Sequence, residues 1–218
     1  MKQILSTRTL NTQQLSLFLN KGFSVTQIDF ISIQLKEFKL NNTGNILLFT
    51  SQNAVRSVLK NEQLPYLIKT PCICVGEKTA ILLQKNNFNV LHHEEYADDL
   101  GNYIKLHHIN DTFTFFSGNL RKNTLPEVMN NNNITFNEVE VYKTTLLPHK
   151  IDTIHSAILF FSPSGVISYM KNNTITDEIL FCIGKTTANE LTKYTNKFII
   201  SEKPTIDSLI KTCIDYFH

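Results

Sequence analysis

Phe49-Thr50-Ser51-Gln52-Asn53-Ala54-Val55 returns 111 residues later as Phe160-Phe161-Ser162-Pro163-Ser164-Gly165-Val166. The apolar positions that follow keep the same offset. Val55, Val58 and Leu59 are matched by Val166, Tyr169 and Met170, and each set has the i, i+3, i+4 spacing of one helix face. Cys74-Val75-Gly76-Glu77-Lys78-Thr79-Ala80 returns as Cys182-Ile183-Gly184-Lys185-Thr186-Thr187-Ala188, and Leu100 is matched by Leu209. More faintly, Leu5-Ser6 matches Phe116-Ser117, and Gly22-Phe23-Ser24-Val25 lies over Asn133-Ile134-Thr135-Phe136. Every offset is close to half of the 218 residues, so two related units of about 109 residues account for nearly the whole chain.

Each unit reads as strands alternating with helices. Gln3–Thr7 is a short apolar strand, Asn11 with Gln14 forms a capping box, and Leu15, Phe18 and Leu19 make a helical stripe that stops near Gly22. Val25 to Ile33 alternates like one strand. Strands at Ile46–Thr50 and Cys72–Val75 precede helices from about Asn53 to Lys60 and from about Lys78 to Gln84; a strand around Val90 and a helix through Leu100, Tyr103, Ile104 and His107 follow. Pro204-Thr205 opens the last helix, whose stripe is Ile206, Leu209, Ile210, Cys213, Ile214 and Phe217. Asn130-Asn131-Asn132-Asn133 reads as a polar loop.

Such alternation predicts an α/β protein with parallel, flavodoxin-like or Rossmann-like sheets covered by helices on both faces. The polar run Gln34–Asn45 and the break Leu146-Leu147-Pro148-His149 predict two crossings between domains. The expected division is a discontinuous domain of residues 1–33 plus 148–218, a second domain of residues 40–142, and linkers at 34–39 and 143–147.

Composition excludes several classes. Twenty-one Lys and Arg against nineteen Asp and Glu give +2, too little to hold a duplex mainly by charge, so no nucleic-acid partner is expected. No apolar run reaches the roughly 20 residues of a membrane span. The start of the chain lacks a signal-peptide core, so a cytoplasmic location is expected. Cys72, Cys74, Cys182 and Cys213 have no metal-ligand spacing, and three of the four lie in apolar runs or stripes and read as small core residues. His92-His93 and His107-His108 are adjacent rather than four apart, and Glu94-Glu95 reads as a solvated charge pair. With no exposed apolar stripe left over, a monomer is expected.

The candidate functional positions lie where strands end and helices begin, because ligands of open parallel sheets bind there and free helix N–H groups favour anions. Ser51, Asn53, Thr79, Ser162, Ser164, Thr186 and Thr187 fall at such turns. Taken singly, each is first of all an N-cap, and Thr187-Ala188-Asn189-Glu190 has the spacing of a capping box. Their doubling in both units suggests two anion-accepting rims. Ser117-Gly118-Asn119-Leu120-Arg121-Lys122 adds a glycine turn and two cations at a strand end. No phosphate loop, dinucleotide fingerprint or nucleophile elbow is present.

Read together, the turns resemble the uroporphyrinogen-III synthase family over nearly the full length. The matching pieces are Phe49–Val55, Val75–Ala80, Phe116-Ser117-Gly118-Asn119, Val141-Tyr142-Lys143-Thr144, Phe160–Val166, Ile183–Ala188 and Lys203-Pro204-Thr205, in the family's order and spacing. The resemblance implies two α/β domains joined by a two-stranded ladder. It further implies cyclisation of hydroxymethylbilane to uroporphyrinogen III, with loss of water and inversion of the last ring, and neither cofactor nor metal. In the reaction that the resemblance implies, the hydroxyl leaves as water to give an azafulvene, and a spiro intermediate forms, fragments and recloses. Tyr142 matches the tyrosine that assists the leaving hydroxyl. Ser51, Thr79, Ser162, Ser164, Thr186 and Thr187 match ligand-lining positions, and Arg121 or Lys122 matches a basic residue after the Ser-Gly-Asn turn. Asn53-Ala54 and Thr9 depart from the family pattern. A transient contact with hydroxymethylbilane synthase is the partner expected beyond the substrate. The rival reading is a non-catalytic two-lobed binder of an anionic small molecule.

Overall fold

Ile46-Leu47-Leu48-Phe49 and Ala157-Ile158-Leu159-Phe160 are buried along their entire length, which is what central strands of a sheet covered on both faces require. The computed structural model describes residues 1–218. In chain order its elements are β1 (Gln3–Ser6), α1 (Thr12–Leu19), β2 (Ser24–Gln27), β3 (Ile31–Leu35), β4 (Ile46–Phe49), α2 (Gln52–Val58), α3 (Leu64–Leu67), β5 (Cys72–Val75), α4 (Glu77–Lys85) and β6 (Val90–Glu94). There follow α5 (Ala97–His107), β7 (Phe113–Gly118), α6 (Thr124–Asn131), β8 (Phe136–Leu146), β9 (Ala157–Phe160), α7 (Pro163–Met170), β10 (Ile179–Cys182), α8 (Lys185–Leu191), β11 (Ile199–Ile200) and α9 (Ile206–Phe217).

The chain divides into two units, one of residues 1–32 and 145–218, the other of residues 33–144. In the first, five parallel strands run in the order β2-β1-β9-β10-β11. In the second, the parallel strands run β8-β7-β4-β5-β6, and β3 flanks β8. Both unit boundaries fall inside strands, at Ser32/Ile33 of β3 and Thr144/Thr145 of β8. The residues expected as linkers therefore begin in β3 and, at 143–146, form the end of β8.

The sequence repeat does not coincide with the units. β1 and β2, from the first repeat, complete a sheet whose other strands β9, β10 and β11 come from the second. In the other unit, β7 and β8 of the second repeat sit beside β4, β5 and β6 of the first. Both sheets thus have the same doubly wound order, each assembled from halves of both repeats.

Alternation along each strand separates the cores. Leu47 and Phe49 pack with Val55, Leu83 and Phe116 on one face, while Ile46 and Leu48 pack with Leu100, Ile104 and Phe115 on the other. In the first unit Ile4 and Leu159 face Phe18 and Leu209, and Leu5 and Phe160 face Val166 and Leu191. All four cysteines are buried and unpaired, one more than the three that the sequence placed in the core. Burial pushes the Cys72, Cys74, Cys182 and Cys213 thiols up to about 12.

Local signals explain most helix starts. Asn11 and Gln14 form the expected reciprocal capping box. Ser51, Ser162 and Thr205 cap α2, α7 and α9 through their hydroxyls. Gly76, at φ 88°, starts α4 in a backbone region that favours glycine.

Three expectations are corrected. The run Val25–Ile33 is two strands, because the Asp29 carboxylate leaves the ladder to accept from the Thr9 N–H at 2.7 Å and the Thr9 hydroxyl at 2.9 Å. The asparagine run is in part the end of α6, which packs through buried Leu125 and Met129. Of the hydroxyl and amide side chains expected as N-caps at the candidate turns, only Ser51 and Ser162 are caps: Asn53 and Ser164 lie one residue inside α2 and α7, and Thr79, Thr186 and Thr187 lie inside α4 and α8, which begin behind Gly76 and Gly184.

Candidate functional site

In the unit of residues 33–144, the carboxyl ends of β4, β5 and β7 and the outer part of β8 gather most of the expected positions. Ser51 Oγ accepts from the Asn53 N–H at 3.0 Å, so its first role is to cap α2. Arg56 donates to Asn53 Oδ1 and to Gln52 Oε1, both at 3.2 Å, which fixes that turn. Thr79 is 5% exposed and its N–H donates to the Gly76 carbonyl, so α4 begins with Thr79 turned inward. The Glu77 N–H donates to the Glu95 carboxylate at 3.0 Å.

The Ser-Gly-Asn turn is engaged by β8. Ser117 is buried and pairs with Glu140 in the ladder. Asn119 Oδ1 accepts from the Thr144 N–H at 2.7 Å, and its Nδ2 donates to the Thr144 carbonyl at 3.1 Å. Arg121 grips Glu138 with Nε at 2.5 Å and Nη2 at 2.7 Å and also donates to Asn123. The guanidinium hydrogen bond holds the Glu138 carboxyl below the usual carboxylate range, and Glu138 in turn raises Arg121. Of the two cations, only exposed Lys122 stays outside this network. The open hollow here, about 500 Å³, is lined by Ser117, Gly118, Asn119, Arg121, Glu138 and Glu140 among others. Its charges are already paired, Glu138 with Arg121 and Glu140 with Lys36 at 2.8 Å, so it offers an anion no unpaired cation among these groups.

Tyr142 lies on β8, half-buried, packed against the cluster that contains Phe49 and Phe116. In the ladder it stands opposite Gly118, across a register shift. A second hollow of about 800 Å³ runs beside Leu35–Lys39, Ser57 and Lys60–Gln63 and contains none of the expected site residues. The rim, where hydroxyls and helix starts converge, has the chemistry for anions; the larger hollow is defined by volume alone.

In the other unit, Ser162 Oγ accepts from the Gly165 N–H at 3.1 Å and lies 3.1 Å from Ser164 Oγ. Thr186 is exposed, whereas Thr187 is 1% exposed with its hydroxyl unpartnered. At the third position of α8, helical periodicity turns Thr187 toward the core, so Thr186 alone presents a side chain outward. Arg8 follows β1; it is exposed, with its guanidinium 5.6 Å from the Phe161 ring centre.

Sequence reasoning passed over Arg8, Glu95 and Glu138. Arg8 carried a usable signal, a cation between Thr7 and Thr9 where a strand ends. Glu95 and Glu138 had none, since their partners lie 18 and 17 residues away. The Glu94-Glu95 pair is also more than solvated charge, because His92 Nε2 lies 2.8 Å from Glu94 Oε1. No three His, Cys, Asp or Glu side chains are placed to hold a metal ion.

Two doubly wound sheets, with hydroxyl-capped helix starts beyond their strand ends, define a duplicated α/β protein suited to anionic ligands. The family model described as Uroporphyrinogen-III synthase HemD matches residues 17–211, and the chain belongs to that family. A curated relative, the porphyrin biosynthesis protein HemD of Ruminiclostridium josui, is 29% identical over 99 residues, 40% of this chain. That match spans a fifth of the relative's own length. Among solved structures, uroporphyrinogen-III synthetase from Helicobacter pylori superposes with TM-score 0.73 at 18% identity, covering 99% of this chain and all of that one. A mutant uroporphyrinogen III synthase from Thermus thermophilus gives 0.74 at 12% identity, covering 100% and 99%. At such identities the structural likeness is one of fold.

Proposed function

We propose that this chain is a uroporphyrinogen-III synthase that converts hydroxymethylbilane into uroporphyrinogen III and water. The observation that carries the reading is the family match over residues 17–211. The chemistry of the turns supports it. The substrate's acetate and propionate groups suit exposed helix starts better than a cluster of fixed cations, in a chain whose formal charge is only +2. Ser51, Asn53, Ser162, Ser164, Thr186 and Lys122 contribute side chains to the two rims, and the Lys78 N–H at the start of α4 and the Ser164 N–H at the start of α7 are the backbone donors proposed for substrate, the neighbouring N–H groups of Glu77, Thr79 and Gly165 being engaged within the chain.

In the reaction the C–O bond of the hydroxymethyl group breaks as the adjacent pyrrole nitrogen supplies an electron pair. The hydroxyl and the pyrrole proton leave together as water, giving the azafulvene. Attack on its methylene by the substituted carbon of the last ring forms the spiro intermediate, which fragments and recloses with that ring inverted. No electrons are exchanged with an outside group, and one water is the only by-product. What the protein must supply is a folded substrate and a hydrogen-bond donor to the departing hydroxyl. Tyr142 is the proposed donor. The protein is proposed to act as a cytoplasmic monomer, meeting hydroxymethylbilane synthase transiently; no helix is long and apolar enough to cross a membrane.

The test is the isomer ratio of uroporphyrinogen formed from freshly generated hydroxymethylbilane with and without the protein. Predominantly type III product is the expected result. Unchanged type I product, the outcome of unassisted closure, overturns the reading and leaves a non-catalytic anion binder.

A further inference from the structure

We infer that the Ser117-Gly118-Asn119 turn is a cradle that sets the position of Tyr142, with Gly118 as the positioning residue, rather than a contact for substrate. The inference rests on the catalytic reading of Tyr142 given above. Three consecutive residues of the turn each hold a different point of β8. Ser117 pairs with Glu140 in the ladder, and Arg121 binds Glu138, four residues before Tyr142, through two hydrogen bonds. Both ends of the Asn119 amide bind the backbone of Thr144, two residues after it. Between these clamps, Gly118 lies against the Tyr142 ring. A Cβ on Gly118 would stand 2.3 Å from Tyr142 Cζ, 2.5 Å from Cε2 and 2.8 Å from Cε1.

The ladder gives the reason. Ser117 pairs with Glu140, but Gly118 pairs with Tyr142, so Val141 is the extra residue of a bulge in β8. A bulge re-aims the side chain that follows it. Here the Val141 carbonyl accepts from the Lys36 N–H at 2.9 Å, and the next side chain is laid flat over the only residue type that leaves it room. The ring also packs against the cluster of Phe49 and Phe116. The hollow beside the turn agrees with this division of labour, since its cation Arg121 is held by Glu138 and Glu140 is held by Lys36 at 2.8 Å, which leaves neither Arg121 nor Lys36 unpaired for a substrate carboxylate.

A double-mutant cycle on the full chain tests it. Gly118→Ala meets the ring of a half-exposed side chain rather than backbone, so the variant folds with its melting temperature within about 5 °C of the parent. Its kcat is expected to fall at least tenfold while KM stays within about twofold. In the Tyr142→Ala background the same substitution is expected to change neither kcat nor melting temperature, because the ring it displaces is gone. Asn119→Asp is the second probe. It keeps the acceptor for the Thr144 N–H, loses the donor, and is expected to retain more kcat than Asn119→Ala, again only when Tyr142 is present.

The inference is overturned if Gly118→Ala raises KM with kcat unchanged, if it costs the same factor with and without Tyr142, or if the two Asn119 variants behave alike. Failure of the enzymatic reading looks different. The parent protein would then give no type III product, while the thermal coupling between Gly118 and Tyr142 could still be measured.

Discussion

The first N–H of α4, that of Glu77, points at a carboxylate supplied by the protein itself: Glu95 Oε1 lies 3.0 Å away, brought there from the turn after β6. The N-cap of this helix is Gly76, which has no side chain to offer, and Glu95 supplies what it lacks. A carboxylate at a helix N-terminus stabilises by about 0.3–1 kcal/mol when exposed, and Glu95 is exposed. It also occupies the kind of place a substrate carboxylate would take. Glu95→Gln is therefore expected to lower the melting temperature by about 1–4 °C and to lower KM for hydroxymethylbilane with kcat unchanged. Thermal melts and initial rates on one preparation check both, and a raised KM would show that Glu95 does not compete with the ligand.

Arg121 and Arg8 make opposite predictions although both are rim cations. Arg121 is already neutralised by two hydrogen bonds to Glu138. Arg121→Ala is expected to leave KM within about threefold and to cost about 0.5–1 kcal/mol of stability, discounted for partial exposure. The sign with pH follows from the depressed Glu138 carboxyl. The stability from the pair is present above the ordinary carboxylate value of about 4.3 and is lost as pH falls through the lower folded value. Urea titrations of parent and variant should therefore differ at pH 7 and converge in acid. Arg8, exposed and in no salt bridge, is free to meet substrate, as Lys122 is, and Arg8→Ala is expected to raise KM more than Arg121→Ala does.

The strand-helix alternation and the caps Asn11, Ser51 and Ser162 were legible in the sequence because each rests on neighbours within a few residues, and the repeat because both copies keep the same turn residues. Asn11 and Gln14 are three apart and form the expected box. What was not legible depends on contacts across the fold. Asp29 ends β2 by reaching Thr9, 20 residues away. α6 is obscured by Pro126 and its terminal asparagines, and it is a helix because Leu125 and Met129 have a core to fill. At the site, hydroxyls could be placed at helix starts, but their direction depends on where the helix begins. A start at Lys185 turns Thr187 inward. The contact of Gly118 with Tyr142 links residues that no local pattern joins.

The four buried thiols provide a probe of both units. Burial holds each neutral form, with Cys72, Cys74, Cys182 and Cys213 pushed up to about 12. Cys74 also feels Glu95. Their stabilising effect is complete below the unfolded thiol value of about 8.5 and is lost as pH rises from there toward the folded value. The native protein is expected to be inert to a thiol reagent at pH 8 and to react fully once unfolded. The midpoint of urea unfolding should fall progressively above about pH 9. Rapid labelling of any thiol in the native protein would place that cysteine outside its core.

The exchange of repeat halves between the two sheets predicts how a cut chain behaves. A cleavage between Asn110 and Asp111 falls in the loop between α5 and β7 and separates the two repeats. In the fragment of residues 1–110, β4 loses the β7 ladder, where Ile46, Leu47, Leu48 and Phe49 stand opposite Phe113, Thr114, Phe115 and Phe116. It also loses the stacked contact between Phe49 and Phe116, whose ring centres are 5.1 Å apart. β1 loses β9, its partner through Ile4, Leu5 and Ser6. A central strand buried on both faces thereby becomes an edge in each sheet, and burying one Phe side chain alone stabilises by about 1.5–3 kcal/mol. Neither fragment is expected to melt cooperatively as a monomer, whereas an equimolar mixture should form a 1:1 complex with the parent's circular dichroism. Sedimentation and thermal melts of the separate and mixed fragments decide it. A fragment that folds alone would mean that β1 and β2 can close onto β4 of their own repeat, and that the exchange of halves is a choice made by the connections rather than by the strands.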